Sequence, residues 1–199
     1  MKKMLAAFAL VTTMGLALTA CGDDSASDAD GTSESSGQAA KFNDADVDFA
    51  QQMIPHHQQA IEMSQLAKTR AGATDVKTLA EDIEKAQGPE IETLTGWLEQ
   101  WGEDAPSGEM DHGDMGHDMG DGAMSGMMDA EQMKDLENAS GTEFDRMFLE
   151  SMIEHHQGAV EMAQTEVDDG KNPDAIAMAE KVISDQQAEI KLMSQLLGS

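Results

Sequence analysis

The chain has 199 residues, enough for one compact domain once its ends are set aside, and carries a formal net charge of −27. With 12 Lys and Arg against 39 Asp and Glu, it is excluded as an electrostatic partner of nucleic acid or of anionic lipid, and suited to attracting cations. Tyrosine is absent and aromatic residues make up only 4%, yet there are 17 methionines, more than the core of a small domain ordinarily uses.

Lys2 and Lys3 precede an apolar run, MLAAFALVTTMGLAL, that is too short for a comfortable membrane span and gives way to polar residues. Residues 1–20 therefore read as a secretory signal. The run ends in Leu18-Thr19-Ala20-Cys21, which resembles the lipobox of bacterial lipoproteins, so Cys21 is expected to carry lipid. Cys21 is the only cysteine, and no disulfide can form within the chain. The expected location is exported: lipid-anchored on the outer face of the cytoplasmic membrane or in the cell envelope. Residues 21–40 are small, polar and acidic, and read as a tether with nothing to bury.

From residue 41 the composition turns to Ala, Gln, Glu, Leu and Met, all good helix formers. Phe49, Met53, His56, His57, Ala60, Ile61 and Met63 share one broad helical face. Asn43 or Asp44 is the expected cap of this first helix, and Arg70 its expected end. Pro55 lies inside it, so a kink or a restart just before the histidines is expected. After a turn at 71–74, a second helix is predicted from about Asp75 to Trp101, with Val76, Leu79, Ala80, Ile83, Ile91, Leu94 and Leu98 inward. Gly88-Pro89 marks a kink in it.

The plan then repeats. Met53, Ile54, His56, His57, Ala60, Glu62 and Met63 recur 99 positions later, without a gap, as Met152, Ile153, His155, His156, Ala159, Glu161 and Met162. Gln87 and Glu90 return as Gln186 and Glu189. The expected fold is all-α: a four-helix bundle of two duplicated antiparallel hairpins, residues 41–101 and 141–199, forming one domain. A duplicated hairpin implies a pseudo-twofold axis, which would bring the two histidine pairs close together. Gln87, Glu90, Gln186 and Glu189 fall within apolar stripes, where an unpartnered polar group costs several kcal/mol by rough transfer estimates. Histidine ring nitrogens are the expected partners, more firmly for the glutamines than for the glutamates, which could instead reach solvent.

All six histidines fall in three pairs. The third pair, His112 and His117, lies in the segment 102–140, whose Gly- and Asp-rich middle reads as a flexible linker. The same stretch holds Met110, Met115, Met119, Met124, Met127 and Met128. With no core to fill there, packing does not explain these methionines. Thioether sulfur suits Cu(I), and imidazole binds Cu(I), Cu(II) or zinc. Interleaved Met and His therefore point to copper, Cu(I) or Cu(II), whereas zinc would leave the thioethers unexplained. In the helices, Met53 sits three and four residues before His56 and His57. Met63 is two turns beyond His56, so it either packs or binds a metal bridged from another helix.

The two copies of M-I-x-H-H-x-x-A-[IV]-E-M, each followed about 30 residues on by Q-x-x-E-I, resemble the domain of unknown function 305 family. The resemblance covers about residues 42–101 and 143–197. It implies an exported bacterial protein with a ferritin-like four-helix fold and, as in several members, an association with copper binding and copper tolerance. It also implies that Met53, His56, His57, Met63, Met152, His155, His156 and Met162 are the site residues. The linker is not part of the family pattern, and its role rests on composition alone.

The reading is thus an envelope-anchored protein that binds metal ions, buffering copper or passing it to an unidentified exchange partner. Its alternatives are a ferritin-like metal-dependent oxidase and a structural helical module whose histidines are hydrogen-bonded core residues. The oxidase would need Glu-x-x-His on two helices, and neither histidine pair has it. Metal binding is expected to weaken as pH falls through the usual histidine range.

Overall fold

A computed structural model describes residues 41–106 and 125–198. Five helices occur among them: α1 (Asp44–Arg70), α2 (Thr74–Trp101), α3 (Ala130–Asn138), α4 (Thr142–Asp169) and α5 (Pro173–Leu197). The four long ones form the expected all-α bundle. No helix among the described residues is long and apolar enough to cross a membrane. The signal, Cys21 and the tether lie outside the described residues, as do Met110, His112, Met115, His117, Met119 and Met124.

α1 starts at a capping box, with Asn43 accepting from the Asp46 backbone and Asp46 accepting from that of Asn43. It runs unbroken through Pro55, so the helix does not restart before the histidines. α2 likewise runs through Gly88-Pro89. Each proline removes one intrahelical donor, a local cost that burial of the remaining face outweighs. α5 begins at Asn172, whose side chain accepts from the Asp174 and Ala175 backbones, with Pro173 in the first turn where its missing N–H is harmless.

α1 packs on α2 and α4 on α5, and the two hairpins meet through α1 and α4. One apolar cluster takes Met63, Val76, Leu79, Ile83, Phe144, Phe148 and Met152; the other takes Phe49, Met53, Ile54, Leu94, Leu98, Ala159 and Val182. The start of α1 therefore packs with the second half of α4, and the start of α4 with the second half of α1. The two helices are antiparallel, as a pseudo-twofold requires.

Two aspartates lock the hairpins to each other. Asp145, from α4, accepts from the backbone N–H groups of Gly72 and Ala73 in the α1–α2 turn, each at 2.9 Å. Asp46, from α1, accepts from Lys171 (3.1 Å) and Asn172 (2.7 Å) in the α4–α5 turn. These aspartates, and the turn residues they hold, stand 99 positions apart in the two halves. Each hairpin thus anchors the other's turn by charge-assisted hydrogen bonds.

The segment before α4 departs from a wholly flexible linker. Asp129 caps α3 through a capping box with Gln132, and Met133 and Leu136 are buried against α1 and α4. Met128 is also buried, within the first apolar cluster. It fills core after all, which corrects the expectation that no core was available to it. Met127, next to it in the chain, is half-buried.

Candidate metal centre

The four helix-borne histidines form a layer between the two apolar clusters. His56, His57 and His156 are fully buried and His155 is 1% exposed. His56 of α1 and His155 of α4 lie ring against ring, their centroids 3.7 Å apart and the planes tilted by 41°. His155 and His156 follow at 6.4 Å. The structure therefore brings together across the α1–α4 interface what the duplication implied.

The outer histidines are each tied to a carboxylate of their own hairpin. His57 Nε2 lies 3.0 Å from Glu90 Oε2, and His156 Nε2 lies 2.7 Å from Glu189 Oε2. The glutamates, not the glutamines, are the histidine partners. Gln87 and Gln186 are buried, and their Oε1 atoms find no hydrogen-bond partner, which corrects the stronger expectation placed on them. Burial would push Glu90 up, but the hydrogen bond and charge of His57, with Lys181 at 3.2 Å, hold it below the usual carboxylate range. An ionised carboxylate only accepts, so Nε2–H of His57 donates to it, and in the neutral ring the lone pair is then on Nδ1.

His56 has a different partner. Its Nε2 lies 3.3 Å from the backbone carbonyl of Ser125, just before α3. A carbonyl also only accepts, so His56 too is held with the proton on Nε2. Among the described residues, Nδ1 of all four histidines, and Nε2 of His155 as well, have no hydrogen-bond partner. An orphaned buried polar atom costs about 1–3 kcal/mol, and these five are concentrated in one layer.

The electrostatics keep the inner pair neutral. Burial pushes His56 down to about 3, helped by repulsion from His57 and His156 and opposed by the Ser125 carbonyl. Burial, then the charges of His56, His156 and His57, push His155 well below the ordinary imidazole range; its ring leans toward the His56 backbone without a well-formed hydrogen bond. A neutral imidazole is the form that binds metal. Burial therefore resists protonation of His56 and His155 in the ordinary histidine range.

The methionines bracket this layer. Met53 and Met63 on α1, and Met152 on α4, are fully buried, and Met162 is half-buried against the second cluster. Met53 and Met152 sit one turn from the histidines of their own helices, in opposite clusters. Among the described residues, no three His, Cys, Asp or Glu side chains converge closely enough to hold a metal as they stand. A centre here draws instead on imidazole pairs and thioethers, a donor set that favours a soft ion. Glu62 is half-buried and Glu161 exposed; Glu161 accepts from the Ser125 hydroxyl at 2.8 Å.

Sequence reasoning missed three residues around the layer: Gln59, Ser125 and Gly158. Gln59 is buried and pairs with the Met128 backbone twice, Nε2 donating to the carbonyl and Oε1 accepting from the N–H, both at 2.8 Å. Its counterpart in the second half is Gly158, where a Cβ would overlap the Ser125 carbonyl oxygen. The available signal was a departure from the repeat beside the histidines, Gln59 against Gly158.

The family model described as Domain of unknown function (DUF305) matches residues 46–197. No curated protein matches the chain. Among solved structures, a DUF305 protein from Streptomyces coelicolor described as secreted is 34% identical, over 77% of this chain and 92% of that one, with a TM-score of 0.68. CopM in its Cu(II)-bound form is 35% identical over 77% and 95%, with a TM-score of 0.64, and its Cu(I)-bound form is 32% identical over 76% and 94%, at 0.60. A DUF305 fragment from Deinococcus radiodurans is 29% identical over 78% and 97%, at 0.66. With a family model spanning both hairpins and relatives of the same fold matched over nearly all of their length, this chain belongs to the DUF305 family.

Proposed function

We propose that the protein is an exported copper-binding protein, held at the membrane by lipid on Cys21, that captures and buffers copper or passes it on. The observation that carries this reading is the buried imidazole layer whose Nδ1 atoms have no hydrogen-bond partner among the described residues, flanked by methionines. A histidine layer kept only for packing would have its nitrogens satisfied. The likeness to CopM, solved with Cu(II), Cu(I) and silver bound, supports copper as the cargo. The likeness to a secreted relative supports export.

In this reading the protein binds rather than catalyses. His56, His57, His155 and His156 supply nitrogen, and Met53, Met63, Met152 and Met162 are the thioether candidates. Glu90 and Glu189 orient His57 and His156, as carboxylates do behind metal-binding histidines. Met110, His112, Met115, His117, Met119, Met124 and Met127 remain candidates for a second, composition-based copper-collecting segment.

Competition between the purified protein and a Cu(I) chelator tests this. Wild type is expected to withdraw Cu(I) from the chelator, and a His56→Ala/His57→Ala/His155→Ala/His156→Ala variant to lose the tightest site. Deleting residues 110–124 is expected to lower stoichiometry while leaving that site. Copper uptake unchanged by the histidine substitutions would overturn the assignment.

A further inference from the structure

The duplication makes His56 and His155 equivalent, but the chain between the hairpins does not treat them so. The short strap Ser125–Asp129 crosses the α1–α4 interface immediately over the inner histidines. Four contacts seat it. The Ser125 hydroxyl donates to Glu161. The Gln59 amide pairs with both backbone groups of Met128. At Gly158 a Cβ would overlap the Ser125 carbonyl oxygen, so the missing side chain lets that carbonyl lie against α4. Gly126, at φ +82°, lies against the Glu154 carbonyl, where a Cβ would overlap it.

This seating has one consequence for the imidazoles. The Ser125 carbonyl accepts from His56 Nε2, whereas neither nitrogen of His155 has a well-formed hydrogen bond among the described residues. His57 and His156 have carboxylates for the same purpose. Three of the four rings are therefore oriented so that, when neutral, the lone pair is on Nδ1, and His155 is left without a hydrogen bond that sets its tautomer.

We propose that the Ser125–Met128 strap is a positioning element of the imidazole layer: its Ser125 carbonyl fixes the tautomer of His56, and Gln59 and Gly158 are the positioning residues that seat it. The inference rests on the copper-binding reading for its purpose, but not for its test. Gln59 and Gly158 occupy equivalent positions in the two halves. A single departure from the repeat thus supplies a clamp on one helix and a groove on the other, which is what an asymmetric strap across a twofold interface needs. The strap breaks the symmetry of the layer, giving one inner ring with a set tautomer and one able to present either nitrogen to the cargo.

The tautomers can be read in the metal-free protein from imidazole nitrogen-15 shifts and their long-range couplings to ring protons, with His56→Ala assigning the His56 signals. In wild type, His56, His57 and His156 are expected as Nε2–H tautomers. In Gln59→Ala, His56 is expected to become a mixture while His57 and His156 stay as they are. Gly158→Ala, which favours the helix by propensity, is expected to do the same by displacing the strap, so the two variants act through different ends of one contact. Both are expected to bind Cu(I) about 10-fold or more weakly, the usual consequence of losing a partner behind a ligand. An unchanged His56 tautomer in both folded variants would overturn the proposal. So would a wild-type His56 protonated on Nδ1. If wild type binds no Cu(I) while the tautomer shifts follow the strap, the copper reading fails and the positioning role stands.

Discussion

The two hairpins agree wherever the layer and its frame are concerned, and disagree where something must dock on one side only. The histidine pairs, the methionines one turn before them, Glu90 with Glu189, and the turn-holding Asp46 with Asp145 are common to both halves. Gln59 against Gly158, Ala67 against Glu166, and Asp82 against Lys181 are not. The first set supplies donors, their orientation and the anchoring of the hairpins, all of which a twofold bundle needs twice. The second set gives each half a different electrostatic and steric surround. Lys181 pairs with Glu90 at 3.2 Å, whereas Glu189 stands at the more exposed end of its pair with His156, with no lysine paired to it among the described residues.

The largest expected effect tests the shared set. His56→Ala with His155→Ala should weaken Cu(I) binding beyond the roughly 10–100-fold that follows loss of an orienting partner, measured by chelator competition. The same pair makes the apo fold acid-sensitive. His56 protonates in the unfolded chain near 6.5 but in the folded one only at about 3, so the folded state binds fewer protons between those values. Its contribution to stability is whole above about pH 6.5 and is lost as pH falls toward 3. The double variant should therefore lose less stability than wild type between pH 6.5 and 4, followed by urea unfolding.

The frame comes next. Asp46→Ala and Asp145→Ala should each cost about 2–3 kcal/mol, because each leaves backbone N–H groups of a turn without their charged acceptor. Equal costs in urea denaturation would show the two ties to be equivalent.

The orienting carboxylates should reveal the asymmetry. Glu90→Gln and Glu189→Gln are both expected to weaken Cu(I) binding by roughly 10–100-fold, with the larger loss at Glu189, whose charge no lysine shares. Reversal of that order, or no difference between them, would remove Lys181 from the account.

The smallest effect concerns Glu166, which is 1% exposed and whose oxygens find no donor. Burial, then the hydrogen bond and charge of neighbouring Asp46, push it up to about 8. The folded state thus holds a proton that the unfolded chain releases near 4.5, and stability falls as pH rises from there toward 8. Glu166→Ala, which copies Ala67 of the other half, should leave the melting temperature nearly unchanged at pH 4.5. It should raise it modestly at pH 8. A gap independent of pH would show that the carboxyl does not titrate as described.

Much of this was legible in the sequence because helical periodicity and an exact repeat constrain each other. The approximate limits of the first two long helices, a cap at Asn43 or Asp44 (the structure uses Asn43) and the meeting of the histidine pairs were all readable from residue type and spacing. What was not legible depends on contacts between a side chain and distant backbone, which leave no periodic trace. Asp46 and Asp145 lie in the first turns of α1 and α4, and no spacing marks them as holding the opposite hairpin's turn. Gln87 and Glu90 both fell in an apolar stripe, and only the packed geometry decides that the glutamate reaches His57. Met128 and α3 were obscured by the glycine and aspartate before them, because local composition does not register a distant core with room for Met133 and Leu136.

X-ray absorption at the copper edge of the loaded full-length protein tests the central claim most directly. A first shell containing imidazole nitrogen together with thioether sulfur, with the imidazole signal lost in His56→Ala/His155→Ala, is the predicted result. A shell without imidazole in wild type, or one that the double substitution leaves unaltered, would contradict it.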